Sequence, residues 1–139
     1  MRSFQYDAFG RRITKTLNGS STNLLYDGQQ VVQELNGGTP TANLLTGLRL
    51  DEYFQRTKGS TTSMYLQDAL GSTIGLTDGT GAIQTTYAYD PYGNVTASGA
   101  ANDNPYQYTG RENDGTGLDY YRARYYSPGM GRFVSQDPL

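Results

Sequence analysis

The 139-residue sequence contains no cysteine, no histidine and no tryptophan. Without cysteine there is no disulfide, no thiolate nucleophile and no thiolate ligand for zinc. Without histidine, the common imidazole metal ligand and the Ser-His-Asp triad are excluded as well. Charge is also scarce, at 17% of residues, with eleven basic against thirteen acidic side chains and a net charge of −2. Nucleic-acid binders ordinarily carry a basic stripe, and this balance offers none. No apolar run reaches the roughly 18 residues of a membrane-spanning helix. The residues after Met1 are too polar for a signal peptide. The absence of cysteine does not fix a compartment. The chain is cytoplasmic, exported without a cleavable leader, or a piece of a longer protein.

What is present is small, polar and aromatic. There are 18 Gly and 13 Tyr, and the mean hydropathy of −0.66 comes from Gly, Ser, Thr, Asn, Gln and Tyr rather than from ions. This composition favours strands and turns. Residues 11–17, "RRITKTL", alternate polar and apolar, as a strand does. Asn18-Gly19 follows as a hairpin signal, because both residues tolerate positive φ. "TNLLYD" returns to Asp27-Gly28, and "QQVVQELN" ends at Asn36-Gly37-Gly38. Thr39-Pro40 is expected to break the chain, and Lys58-Gly59 to turn it again. Asp78-Gly79-Thr80-Gly81 reads as a tight hairpin before the alternating "AIQTTYAY". No window holds apolar residues at i, i+3, i+4 and i+7 for three turns, so no amphipathic helix is expected.

An internal repeat organises the pattern. Asp-x-x-Gly occurs at residues 7–10, 68–71 and 90–93, with a degenerate copy at Tyr26-Asp27. The Asp positions are spaced by 20, 41 and 22 residues, as if one copy near residue 48 had eroded. Asp at turn position i accepts backbone N–H bonds, Pro suits i+1 and Gly suits the strained exit. The tyrosine ahead of each Asp (Tyr6, Tyr26, Tyr89) is expected to stack on its neighbour one unit away. One such unit is one hairpin, unstable alone, so units must stack. The fold expected is all-β: antiparallel hairpins stacked into a curved or spiralling strip.

The pattern Tyr-Asp-x-x-Gly-Arg at 6–11 resembles the YD repeat of the RHS/YD-repeat family. Residues 64–139 are similar to the RHS repeat-associated core domain of that family. The pieces that carry the likeness are "LQDALGSTIGLTDGTG", "YAYDPYGNV", "NPYQYTGRENDGTGLDYYRARYYSPGMGRF" and "SQDPL". Residues 1–63 match more weakly, as degenerate YD-type repeats. The resemblance implies a β-sheet shell around a C-terminal toxic segment, in bacterial toxins that are secreted or displayed at the cell surface. It also implies an intramolecular aspartyl protease that frees the segment, with two carboxylates from Asp-Pro-x-Gly motifs and a supporting Arg.

Carried over, the resemblance assigns Asp137 as the first carboxylate and Arg124 as the supporting Arg. The second carboxylate would lie beyond Leu139, so the chain as given is expected to be catalytically silent. Aspartyl hydrolysis needs two carboxylates close enough to share a proton. Glu112, Asp114 and Asp119 are the other nearby acids, and none stands in a second motif. In "YYRARYY", period two places Tyr120, Arg122, Arg124 and Tyr126 on one face of a single strand. Both Arg could instead cap an outer polar face. A hairpin through residues 127–131 would bring Arg124 within hydrogen-bond reach of Asp137 or a terminal carbonyl.

The glycine clusters at 79–81 and 115–117 do not form a phosphate loop. A Ca²⁺ reading of residues 78–81 has only one acid. No cofactor or metal is expected. Function is read as a structural wall of a toxin shell. Half of an autoprotease and a tyrosine-rich glycan-binding strip are the alternatives. Open sheet ends with few guarding charges predict self-association, or association with the rest of a shell.

Overall fold

The computed structural model describes residues 1–137. Ten strands lie side by side in chain order in one sheet: β1 (Arg2–Tyr6), β2 (Arg12–Leu17), β3 (Ser20–Asp27), β4 (Gln30–Asn36), β5 (Thr39–Thr46), β6 (Tyr53–Lys58), β7 (Thr61–Gln67), β8 (Thr73–Thr77), β9 (Ile83–Tyr89) and β10 (Val95–Gly99). Four short strands make a second sheet, also in chain order: β11 (Glu112–Asn113), β12 (Asp119–Tyr121), β13 (Arg124–Ser127) and β14 (Arg132–Phe133). The ladders are antiparallel. Two 3-10 turns, Tyr108–Gly110 and Pro128–Met130, are the helical segments among the described residues. The all-β meander of hairpins is thus the observed architecture. The chain divides into two compact units, residues 1–62 and the remainder from Ser63.

In the first unit the Tyr-Asp grammar has a mechanical meaning. Gly10 N donates to Asp7 O at 3.0 Å, and Asp7 N to Arg11 O at 2.9 Å. The Asp7 carboxylate accepts from Phe9 N and Arg11 N, both at 2.9 Å. This is a turn whose fourth residue needs positive φ, and Gly10 has φ +75°. Desolvation is the largest single influence on the Asp7 carboxyl and raises it, but the hydrogen bonds from Arg11 and Phe9 and the Arg11 charge together outweigh it and hold the carboxyl below its ordinary value. Arg11 then reaches onward. Its Nε sits 2.7 Å from Asp7 Oδ2, its Nη1 donates to Gly28 O at 2.6 Å, and its guanidinium lies over the rings of Phe9 and Tyr26 at 5.4 and 5.2 Å. One arginine therefore ties the first turn to the turn of the next hairpin.

The tyrosine ahead of Asp also makes a hydrogen bond to an earlier strand. Tyr26 OH donates to Arg12 O at 2.9 Å, and in the second unit Tyr89 OH donates to Thr73 O at 2.6 Å. Arg12 lies five places after Asp7, and Thr73 five places after Asp68. The tyrosine is thus a tether to the backbone just past the preceding turn, at equivalent positions in two units.

The Asp27-Gly28 turn is present, in degenerate form: Asp27 pairs with Gln30 around a two-residue loop in which Gly28 has φ +58°. One expectation is corrected. Thr39-Pro40 does not break the chain. Pro40 lies inside β5, opposite Leu35, where the register shifts, and a bulge tolerates a residue that cannot donate to the ladder. Near residue 48, where a repeat looked eroded, a turn survives without Asp-x-x-Gly. Gly47 N donates to Glu52 O at 2.8 Å, Asp51 takes φ +60°, and the Gln30 side chain binds Arg49 O and Asp51 N.

The buried face of this unit carries Leu24, Val31, Ala42, Leu44 and Tyr53 with one ion pair. Arg56 Nε and Nη2 meet Glu34 Oε1 and Oε2 at 2.9 and 2.7 Å, a forked pair buried on both sides. The opposite face exposes Leu25, Leu45 and Phe54 beside polar cross-strand pairs such as Gln33–Asn43 at 2.7 Å.

The second unit repeats the turn at Asp68, Asp78 and Asp90, with the same backbone and carboxylate bonds each time. Hydrogen bonds led by Thr80 hold the Asp78 carboxyl below its ordinary value, and bonds led by the Asn94 side chain do so for Asp90. After β10 the chain returns across the sheet. Asn104 accepts from Tyr65 OH at 2.8 Å and donates to Tyr106 O at 2.9 Å, while Thr73 Oγ1 also donates to Tyr106 O at 2.8 Å. Tyr106 is 1% exposed and anchors the second sheet.

Candidate functional site

The site lies in the terminal sheet, and its register departs from the expectation of one strand through residues 120–126. Tyr121 pairs with Arg124, Tyr120 with Tyr125 and Asp119 with Tyr126. Arg122-Ala123 is therefore a two-residue hairpin loop, with Arg122 at φ +60°. A positive φ at that place suits the right-handed twist of the flanking strands. The turn reshuffles the faces. Asp119, Tyr121, Arg124, Tyr126 and, through the Tyr126–Phe133 pair, Phe133 share one side, while Tyr120 and Tyr125 share the other. Arg122 leaves the strand altogether. Period two failed because it assumed an unbroken strand.

The turn at Ser127–Gly131 closes as expected, with Gly131 N on Pro128 O at 3.1 Å and Gly131 left-handed at φ +62°. It returns the chain as β14 and brings the candidate residues together. Arg124 Nη2 stands 3.3 Å from Asp137 Oδ2. The Arg124 guanidinium also lies 3.7 Å over the Phe133 ring, which Tyr121 and Tyr126 meet edge-on at 5.5 and 5.4 Å. The ring stack holds a planar cation with one edge toward the carboxylate. The Asp137 side chain is 69% exposed. Pro138, which completes the Asp-Pro pair, lies outside the described residues.

A complete Asp-Pro-x-Gly does occur, at residues 90–93, and its carboxylate is already committed. Asp90 Oδ1 accepts from Tyr92 N and Asn94 N, and Oδ2 from Asn94 Nδ2, at 2.8, 3.0 and 2.7 Å. This turn docks on the terminal hairpin. Tyr126 OH donates to Tyr92 O at 2.8 Å and Asn94 Nδ2 to Pro128 O at 3.3 Å. The Tyr108 ring lies so close to Gly93 that a Cβ there would come within 2.5 Å of it.

The other nearby acids are buried. Glu112, Asp114 and Asp119 are 6%, 5% and 2% exposed. Glu112 pairs with Tyr120 and belongs to the face away from Arg124. Burial, and then the charge of Asp114, push the Asp119 carboxyl up to about 7. Its Oδ2 has no hydrogen-bond partner among the described residues. Burial likewise pushes Tyr121 up to about 12 against the pull of its bond to Thr109.

Two turns here escaped the sequence reading. Gln107-Tyr108-Thr109-Gly110-Arg111 closes like the Asp turns, with Gln107 N on Arg111 O and Gly110 N on Gln107 O, and Arg111 covers the Tyr121 ring at 5.0 Å much as Arg11 covers Tyr26. Its signal was the Gly-Arg pair, masked by Gln in place of Asp. The tetrapeptide Asp-Gly-Thr-Gly at 78–81 recurs at 114–117, and Asp114 N donates to Leu118 O at 3.1 Å. No group of three or more acids among the described residues is arranged to hold a metal.

No protein-family model matches the chain. Among curated proteins it is 37% identical over 142 residues to the tRNA3(Ser)-specific nuclease WapA of Bacillus spizizenii, which covers 98% of this chain and 6% of that protein. It is 44% identical over 80 residues to the toxin subunit YenC1 of Yersinia entomophaga, covering 53% of this chain and 8% of the subunit. Among solved structures, the TcdB2-TccC3 crystal structure aligns with 99% of this chain and 8% of its own at a TM-score of 0.74 and 24% identity, a likeness of fold. The chain thus spans less than a tenth of the length of each of these proteins.

Proposed function

Because the chain belongs to the RHS/YD-repeat family, we propose that it is a wall segment of a secreted or surface-displayed toxin shell. Residues 1–63 serve as degenerate YD-type repeats, and residues 64–139 as part of the repeat-associated core. The observation that supports this reading most is the chained hairpin. Asp turns at residues 7, 68, 78 and 90 satisfy their own carboxylates, and the hydroxyls of Tyr26 and Tyr89, with Arg11 in the first repeat, tie one hairpin to a neighbouring one. Such units propagate without a catalytic centre, and their outer strands β1 and β10 present backbone edges to further repeats or to another chain. Low net charge does little to oppose that pairing. Sedimentation velocity at micromolar concentration tests the point. Concentration-dependent, head-to-tail assembly is expected, and a stable monomer counts against it.

A second reading is supported by the 3.3 Å contact between Arg124 and Asp137. Arg124 would orient and stabilise the Asp137 carboxylate as one half of an aspartyl autoprotease, with the second carboxylate supplied from outside these residues. The test is a longer form of the protein that carries a second Asp-Pro-x-Gly. Two bands are expected on expression and one after Asp137→Asn. Two bands in both remove Asp137 from the chemistry. A glycan-binding role for the tyrosines would need a specific array signal lost in Tyr126→Ala, at a half-buried position, since Tyr120 is 4% exposed.

A further inference from the structure

We propose that the β11–β14 sheet is a proton-operated latch, closed while the Asp119 carboxyl is protonated and loosened when it ionises, so that mildly acidic surroundings hold the terminal segment more tightly than neutral ones. This device stands apart from both functional readings. It rests first on geometry. Asp119 opens β12 and pairs with Tyr126 of β13 on one side and Asn113 of β11 on the other, so it sits in the middle of the small sheet. It is 2% exposed, and its Oδ2 meets no donor among the described residues. A charged carboxylate oxygen buried without a donor is costly, whereas a buried carboxylic acid is tolerated.

The charge nearest it favours the neutral form. Asp114, in the loop after β11, adds a like charge. Tyr89 from β9, Tyr121 from β12 and Tyr126 from β13 are phenols whose own ionisation Asp119 opposes. Tyr108 packs beside Tyr89 at 5.5 Å. Of the arginines in this region, Arg111 lies over the Tyr121 ring and Arg124 over Phe133, the latter facing Asp137, while Arg122 stands in the β12–β13 loop and Arg132 opens β14. Glu112 lies on the other face of the sheet. The carboxyl's raised value of about 7 accords with this setting.

The sign follows from linkage. An acid whose closed-state value is raised is protonated in both closed and open forms at low pH and costs nothing there. As pH rises from 3.8 to about 7, the open form ionises first and opening grows more favourable, by up to about tenfold per pH unit. Above about 7 both forms are ionised and the effect levels off.

Hydrogen exchange of the whole chain at pH 5, 6, 7 and 8, corrected for intrinsic rates, tests the latch, with peptides of β4 and β5 as the internal reference. Protection across 119–133 is expected to be at least about tenfold higher at pH 5 than at pH 7, flat from 7 to 8, and without a slope in β4 and β5. Asp119→Asn should lift protection at pH 7 to the pH 5 level and abolish the slope. A slope unchanged in the variant, or absent in the parent, overturns the proposal. Should the variant fail to fold, titration of the Asp119 carboxyl carbon by NMR decides. A midpoint near 7 supports the latch, and one in the ordinary carboxylate range overturns it. Asp114→Asn is expected to lower that midpoint, and a midpoint that does not move counts against the surroundings described.

Discussion

Glu34 in the first unit and Asp119 in the second are both buried carboxyls on β-strands, and the chain treats them in opposite ways. Glu34 receives both arms of the Arg56 guanidinium. Asp119 receives a neighbouring carboxylate and a set of phenols instead. The difference teaches that burial alone does not set the role of an acid in this fold. A forked cation makes it part of a permanent clasp, and the lack of one makes it a group that prefers its proton. The first unit accordingly pairs its buried acid with a forked cation, while the terminal sheet keeps a carboxylate oxygen without a partner in its centre.

The comparison breaks most visibly if the clasp is cut. Arg56→Ala strands the Glu34 carboxylate in a buried site and is expected to cost about 3–5 kcal/mol in urea unfolding, whereas replacing both partners with apolar residues of similar volume should cost little or nothing. A large loss in the double variant would show that the pair does more than satisfy itself. Next in size is Gly93→Ala. It places a Cβ within 2.5 Å of the Tyr108 ring at a residue with φ +92° and should cost about 1–3 kcal/mol, read as a lower melting temperature. Equal stability of that variant would mean the Asp90 turn is not pressed on the terminal segment.

Removing a tether is smaller. Tyr89→Phe deletes the bond to Thr73 O and is expected to cost about 1 kcal/mol, with Tyr26→Phe similar in the first unit. Smallest is Asp137→Asn. The Arg124 contact is exposed on the Asp137 side and should contribute less than about 1 kcal/mol, so the variant should melt with the parent. That near-silence in stability makes it a clean probe of chemistry in a longer form. The acid side offers a further contrast. The Asp7, Asp78 and Asp90 carboxyls are held below 3.8, so their contribution is present above that value and lost as pH falls through their folded values. Asp119 works in the other direction, between 3.8 and about 7. Stability followed by circular dichroism should therefore pass through a maximum in mildly acid buffer, and Asp119→Asn should flatten the neutral side of it.

Much of this architecture was legible in the residues. Asn18-Gly19, Asn36-Gly37-Gly38 and Asp78–Gly81 announce their turns because few residues accept the required φ, and alternation between them makes strands. The Asp137–Arg124 approach was foreseeable once Pro128 and Gly131 were read as a turn. The faces of the terminal sheet were not, because Arg122-Ala123 carries none of the usual turn residues. Arg122 adopts its positive φ only because the flanking tyrosines are paired across the hairpin.

The residues alone therefore marked the turns that carry Gly, Asn or Asp at the usual places, and the all-strand character of the chain, since both are local matters of φ preference and period-two patterning. They also determined which tyrosines and aspartates recur. Only the tertiary structure decided what they do. The hydroxyl of Tyr26 or Tyr89 becomes a tether because the preceding hairpin lays a carbonyl at its tip. Asp90 is locked in a turn, Asp137 is left open beside Arg124, and Asp119 is buried near the charge of Asp114, although the three are the same residue type. Their chemistry depends on solvent access and on the charges and donors that distant parts of the chain bring near, and no local pattern encodes those.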